Sequence, residues 1–463
     1  MQTAILAIAK MDKFTLVQDW LEHSMAQKQL QLNFINNTPY HGHEVFISFQ
    51  NGAPGTTNFD VTYGNGKSVE IKPHNLMSEP LSLKDIGPTG LTINQAVSIL
   101  VYVSYGNALQ SRTSAPTFIG GGMDYQTLFQ TFEITMTGNA GDQGDMTAIN
   151  YFTAPMEIAS YAADGTLIQS VGYTADANTI AAKLGASSSP PWGALVKDAA
   201  GDWVRFIGPS SYAPPPATPY QSFIPYLQSV HAAGQLTKIV NSNAFLYKSK
   251  KTQKTTNYIL TLDHVATAAA NGSLTLNGEI HTTITGDSSA QGPTFKECNA
   301  TISAVDPVSY NTAIYGQVIN SAVTFSGLGW SKLSSQVKSW DLEDQAVELT
   351  TQKLLIGEVT TGLLLGLINS NTVPAGQDVA LKDMKSDAWW KLSPLPAFRE
   401  AQPDHPYYNT YAAELFAAST NQVYSIPFSD RLGNGPLINT VSYNGQDVAN
   451  WTVTLLPPLS AGG

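Results

Sequence analysis

Carboxylates are the side chains here with the clearest chemistry to offer, and several gather in one stretch. Glu133 lies within Phe132-Glu133-Ile134-Thr135. Its neighbours alternate as a strand does, so Phe132 and Ile134 turn to a core and Glu133 to the other face. Asp142 and Asp145 follow in Gly141-Asp142-Gln143-Gly144-Asp145. A carboxyl group within reach of a substrate can give or take a proton. Plainer readings stand beside this one. Glu133 also fits an exposed strand position, and the two aspartates fit a Gly/Asp turn linking two strands. The turn is the preferred reading for both aspartates.

Other groupings carry less. His41-Gly42-His43-Glu44 lacks further metal ligands and reads as a solvated loop. Gly120-Gly121-Gly122 follows no strand–helix phosphate pattern and reads as a hinge or bulge. Trp389-Trp390 fits either sugar stacking or a core. Ser, His and the lone cysteine form no nucleophile set. Neither a metal nor a cofactor is implied.

The elements that must position these residues are mostly strands. Val45–Phe49, Ile99–Ser104, Phe129–Met136 and Ala148–Ile158 have the alternation and the β-branched or aromatic content of a sheet. A sheet-built core is expected over 30–160, completed by strands and a long helix in 251–463. Within the latter, strands return from Thr256 to Phe325, a helix spans Leu342–Leu367, and a helix and strands follow Tyr411. Between them, 161–250 mixes helical patterns (Asp176–Leu184, Phe223–Ala233) with a strand at Trp203–Ile207 and a proline-rich loop. This reads as an α/β unit inserted into the β core. Residues 1–29 form an N-terminal helical segment. The fold class is therefore mainly β with an α/β part.

Composition narrows the partners. Charged residues are 13% of the 463, about half the usual globular share of roughly 25%. The surface must lean on Thr, Ser, Asn, Gln and Gly. The net charge of −11 repels phosphate backbones, so nucleic acid is excluded as a partner. One cysteine, Cys298, allows no disulfide framework within the chain. No apolar run approaches the roughly 18 residues of a membrane span. The first ten residues lack the charged start of a signal peptide. Residence in the cytoplasm or export by a non-classical route is expected, and self-association stays open.

Three segments, in order, resemble a known family. The first is Phe132 to Thr135, then Gly144-Asp145-Met146-Thr147-Ala148-Ile149-Asn150-Tyr151-Phe152 and Pro155-Met156. It is similar to the thaumatin signature D-x-S-x-V-D-G-F-N-x-P-M. The second runs through Trp192-Gly193-Ala194, Val204 to Pro209 and Phe223 to Tyr226. The third is Asn409-Thr410-Tyr411-Ala412 with Val423 to Asp430. Together they resemble the β-1,3-glucanases of glycoside hydrolase family 64. The resemblance implies a thaumatin-like β-sandwich or barrel core, a mixed α/β domain and a wide groove between them. It implies inverting endo-hydrolysis of β-1,3-glucan by two carboxyl groups, one protonating the leaving oxygen and one activating water. Their separation, roughly 6.5–9.5 Å, leaves room for that water. Neighbouring strands can present such a pair, because cross-strand and diagonal neighbours lie roughly 5–8 Å apart.

Carried over residue by residue, the family's Glu falls on Glu133 and its Asp on Asn150. Asparagine has no carboxyl group to act as general acid or base. Asp145 and Asp142 are then the candidates for the missing group. Thr135, Thr147 and Asp430 fall on positions lining the sugar site. Three functions follow as alternatives: an endo-β-1,3-glucanase with an unorthodox second group, a catalytically silent polysaccharide-binding protein, and a structural or self-assembling protein reusing the fold.

Overall fold

The computed structural model describes residues 28–460 except 51–58, 65, 72–76, 140, 189, 213–218, 221–223, 234–235, 249–254, 269–273, 287, 303–322, 340–357, 359–360, 369, 390–391, 393–407, 421–422, 428 and 430–435. The expected helices at the N-terminus and over Leu342–Leu367 lie wholly or mostly outside these residues.

The chain is mainly β. In order it forms β1 (Leu30–Asn36), β2 (Val45–Gln50), β3 (Leu91–Tyr105), β4 (Leu128–Met136), β5 (Gln143–Thr147), β6 (Tyr151–Phe152), β7 (Met156–Tyr161) and β8 (Leu167–Gly172). Helix α1 (Ala177–Ser187) follows, then β9 (Leu195–Lys197), β10 (Trp203–Ile207) and α2 (Ile224–Ala232). Four long strands come next: β11 (Leu236–Lys248), β12 (Thr255–Ala268), β13 (Leu274–Gly286) and β14 (Ser288–Ile302). β15 (Val323–Ser326), α3 (Leu328–Ser339), α4 (Thr410–Ala417), β16 (Val423–Tyr424), β17 (Ile438–Asn439) and β18 (Asn450–Leu455) complete the elements used below. The strand expected over Ala148–Ile158 is two strands, β6 and β7, parted at Thr153-Ala154-Pro155, where Pro155 has no N–H to give a ladder.

The main sheet runs β8-β7-β18-β1-β3-β4-β5, and β5 pairs on with β16 and β17. β17 comes back beside β8, where the Asn439 backbone N–H donates to Gln169 Oε1 at 2.9 Å. The sheet is therefore nearly closed into a barrel, which leaves little open edge. Sequence-distant ends meet in this ring: β1 pairs with β18 in parallel, Leu32 beside Trp451 and Phe34 beside Val453.

The interior is apolar, and the strand period explains how. On β4, Phe132, Ile134 and Met136 are buried in the main core, while Glu133 and Thr135 on the other face are half-buried. Trp451 is fully buried, and its indole N–H donates to the Asn439 carbonyl at 2.9 Å. Its ring reaches β5 at Gly144. A Cβ there would lie 2.1 Å from the Glu133 carbonyl oxygen and 2.7 Å from Trp451 Cη2.

A second, smaller core lies outside the ring, around Tyr102, Phe129, Tyr151, Val196, Val204 and Ile207. It joins the outer face of β3 and β4 to a three-stranded sheet, β9-β10-β6. That small sheet has α1 on its other side, through Phe206, Ile180 and Leu184 of the main core. Asp176 caps α1, accepting from the Thr179 N–H at 2.9 Å, which explains where this helix starts. The long strands β11 to β15 form a separate antiparallel meander.

Gly144→Ala is expected to destabilise the protein by about 1–3 kcal/mol, the usual cost of forcing extra volume into a packed site. Thermal unfolding followed by circular dichroism measures it. An unchanged melting temperature would show that β5 does not close on Trp451 as described.

Candidate functional site

The outer face of β4 and β5 carries the acids. β4 and β5 are antiparallel, with Glu133 directly opposite Asp145 and Ile134 opposite Gly144. Directly opposed residues share a face, with Cβ atoms roughly 4.5–5.5 Å apart. Two carboxyl groups thus share the outer face of the ring. The preferred sequence reading, Asp145 in a linking turn, is corrected here: Asp145 belongs to a strand, and the turn ends before it.

The surroundings set what each acid can do. Asp145 is 4% exposed. The Thr147 hydroxyl, two residues on along the same face, donates to Asp145 Oδ1 at 2.5 Å. Glu133 is more open. On its other side stands Leu100 of β3. Just before Leu100 the β3–β4 register slips between Ala96 and Ile99, and Ser98 takes a φ of 48°. The Ser98 N–H donates to Thr135 Oγ1 at 3.0 Å, which holds this bulge in place. Bulges bend a strand and re-aim its side chains, and they concentrate beside functional sites. Thr135 and Thr147 were expected to line a sugar site. The geometry shows each anchoring the acid face, one through the bulge and one through Asp145.

Asp142 and Asn150 lie outside the β4–β5 ladder. The Asp142 carboxylate accepts from the Thr137 N–H, from the Thr137 hydroxyl at 2.9 and 3.0 Å, and from the Asn139 N–H at 3.1 Å. It ties the loop between β4 and β5, as the turn reading has it. Asn150 lies beyond the end of β5, outside the register with Glu133. Its Oδ1 and its carbonyl each accept from the Ser211 hydroxyl at 3.1 Å, and the carbonyl also accepts from the Gly208 N–H at 2.8 Å. Asn150 fastens the small sheet to the ring. Asp430 lies outside the described residues.

Farther along the same outer face of β4, over Phe129, sits a buried cation that sequence reasoning did not single out. Arg205 of β10 is fully buried. It donates to the carbonyls of Tyr125, at 3.2 Å, and Thr127. Its guanidinium lies 4.2 Å from the Phe129 ring centroid and 5.5 Å from that of Tyr151. Burial pushes its pKa down to about 10, opposed by the attraction of Tyr151, Tyr125 and Asp124, so it is a cation at neutral pH. Burial also pushes the Tyr151 phenol well up, so that ring stays neutral. The available signal was an arginine inside the apolar strand Trp203–Ile207, since charged residues are rarely buried without a specific setting.

The remaining groupings are structural. Trp389 is fully buried, its indole N–H donating to the Leu381 carbonyl at 2.8 Å. His41 and Glu44 close a turn on each other, the His41 N–H donating to Glu44 Oε2 and the Glu44 N–H to the His41 carbonyl, both at 2.8 Å. Among the described residues no group of three or more His, Cys, Asp or Glu is placed to hold a metal ion.

Comparison with known proteins supports the architecture. No family model matches the chain, and no curated protein matches it. Among solved structures, a β-1,3-glucanase domain (GH64) from Clostridium beijerinckii is similar at 13% identity and a TM-score of 0.52, over 92% of this chain and 98% of that one. A laminaripentaose-producing β-1,3-glucanase, solved in complex with laminaritetraose, is similar at 14% identity and a TM-score of 0.50, over 93% and 99%. Identities this low establish a shared fold.

Thr147→Val keeps the shape of the side chain and deletes its donor. It is expected to cost about 1–3 kcal/mol, the scale of a hydrogen bond to a charged group. Thr147→Ser should stay within about 1 kcal/mol of the natural protein, because it keeps the hydroxyl. Urea unfolding of the two variants checks this. Equal stability of both would mean that Thr147 does not support Asp145.

Proposed function

We propose that this protein binds β-1,3-glucan and hydrolyses it with Glu133 and Asp145 as the acid/base pair. The carrying observation is the β4–β5 register, which sets the two carboxyl groups opposite each other on one face. The fold supports the substrate class, because the similar structures are those of β-1,3-glucanases, one of them holding laminaritetraose. The chain's modest charge suits a neutral polymer.

The chemistry assigns the two roles. Asp145 accepts a hydroxyl donor from Thr147, an arrangement that suits an ionised, acceptor-only carboxylate. It is the base, drawing a proton from a water beside the sugar ring. Glu133, on the longer and more exposed side chain, is the acid that protonates the departing glycosidic oxygen. The bond from the anomeric carbon to that oxygen breaks as the water oxygen attacks from the opposite face. This course requires the two side chains to splay until their carboxyl groups stand roughly 6.5–9.5 Å apart, room enough for the water.

One observation favours a second reading, binding without turnover. Asp145 is only 4% exposed, and a water must reach it for the base to act. The function would then be polysaccharide binding on the same face.

Reducing-sugar release from a soluble β-1,3-glucan separates the readings. Glu133→Gln and Asp145→Asn should each lower the rate by about 10²-fold or more, the scale of general acid–base help. Asn150→Asp should give no gain, because Asp145, not residue 150, stands opposite Glu133 in the β4–β5 ladder. Binding by the natural protein with no sugar released would establish the silent reading. A gain from Asn150→Asp would move the second carboxyl position to residue 150.

A further inference from the structure

We infer that Trp192 and Trp203 form a second contact point for the glucan chain, an aromatic platform remote from the acid pair. The inference rests on the reading that this protein recognises β-1,3-glucan. Trp192 is 39% exposed, one of the few large apolar residues left at the surface among the described residues. Its ring centroid lies 4.9 Å from that of the half-buried Trp203, tilted by 45°, and 5.8 Å from Phe206 beneath. Two adjoining tryptophans therefore reach the same surface.

The backbone is held in an unfavourable form to put the ring there. Trp192 has a φ of 66°, a left-handed conformation that bulky residues rarely adopt. The following residue is Gly193, so the loop has a glycine at hand and yet places the tryptophan at the strained position. Strain of this kind persists only where the surroundings enforce it, and it is common at ligand contacts. The surroundings do enforce it. The Trp192 N–H donates to the Gly185 carbonyl at 2.9 Å, and the Trp192 carbonyl accepts from the Leu195 N–H at 3.1 Å. Part of the indole rests on Gly185 of α1, where a Cβ would stand 2.6 Å from the ring.

The chemistry points to a neutral sugar. No charged residue occurs from Leu184 to Val196. A flat, rigid aromatic surface in uncharged surroundings offers the C–H face of a pyranose ring a large contact at low cost in side-chain freedom. The platform lies on the face of the small sheet that meets α1, whereas the other face packs on β3 and on β4, the strand that carries Glu133. Phe206, under Trp192, belongs to the main core with α1, whereas Val196, Tyr151 and Ile207 pack outward against β3 and β4. One polymer chain long enough to touch both points gains avidity without needing a tighter acid site.

Sedimentation with an insoluble linear β-1,3-glucan tests this, with turnover of a short soluble β-1,3-gluco-oligosaccharide measured in parallel. Trp192→Gly removes the ring and accepts the backbone conformation. Trp192→Leu keeps apolar packing on Gly185 without a flat aromatic face. Both are expected to weaken polymer binding about tenfold or more while oligosaccharide turnover or binding stays near that of the natural protein. Full polymer affinity in Trp192→Leu would overturn the platform and leave the proposed function standing. Absence of any polymer or oligosaccharide binding by the natural protein would overturn both.

Discussion

The acid site depends on a contact made on the opposite side of the sheet. Trp451 fills the barrel interior and meets β5 at the one residue there with no side chain. Gly144 sits beside the Glu133 carbonyl so closely that a methyl group could not be inserted. That contact brings β5 onto β4 at the register that places Asp145 opposite Glu133. A slip of one residue would turn Asp145 inward against the tryptophan, and burying an unpaired carboxylate there is far costlier than any loop strain. The core therefore selects the register, and the register creates the pair.

The same logic extends outward from the ring. β3 carries a bulge at Ser98, pinned by Thr135, next to the residue that flanks Glu133. On the same outer face, Phe129 lies under the guanidinium of Arg205. A buried cation is expensive, and here two backbone carbonyls take only its Nη2, two aromatic faces lie against the guanidinium, and Nε and Nη1 have no hydrogen-bond partner among the described residues. Arg205 belongs to the small sheet, whose strand β6 begins just after Asn150. Asn150, bonded to Ser211 and Gly208, is a second fastening between the same two bodies. The small sheet is thus held against the acid-bearing strands by a cation, an amide and a shared apolar core.

Much of this was legible in the residues. The alternation Phe132, Ile134, Met136 marked β4 and the facing of Glu133, because a strand with one buried face must repeat every second residue. The helical pattern over Asp176–Leu184 marked α1, with Asp176 itself proving to be the cap just outside the helix. The place of Asp145 was not legible. Gly141-Asp142-Gln143-Gly144-Asp145 has turn chemistry throughout, and the structure divides it. Asp142 closes the loop, whereas Gly144 is a strand residue chosen for the tryptophan beneath it. A glycine that marks a close approach and a glycine that marks a turn look alike in sequence. Trp451, some three hundred residues away, is the partner that tells them apart.

Asn150 shows why matching one position to a family pattern cannot by itself settle where the chemistry lies. A carboxylate is useful only where its partner can be reached, and reach is set by strand pairing. At residue 150 the chain has left β5 and is turning into β6. Its side-chain oxygen is an acceptor for a serine hydroxyl, a role that an amide fills as well as a carboxylate and without adding charge. Glu133 has Asp145, and not residue 150, in direct cross-strand register. The feature that limits that pair is access. Asp145 is held by Thr147 and nearly covered, so base chemistry on this face requires water to enter beside it.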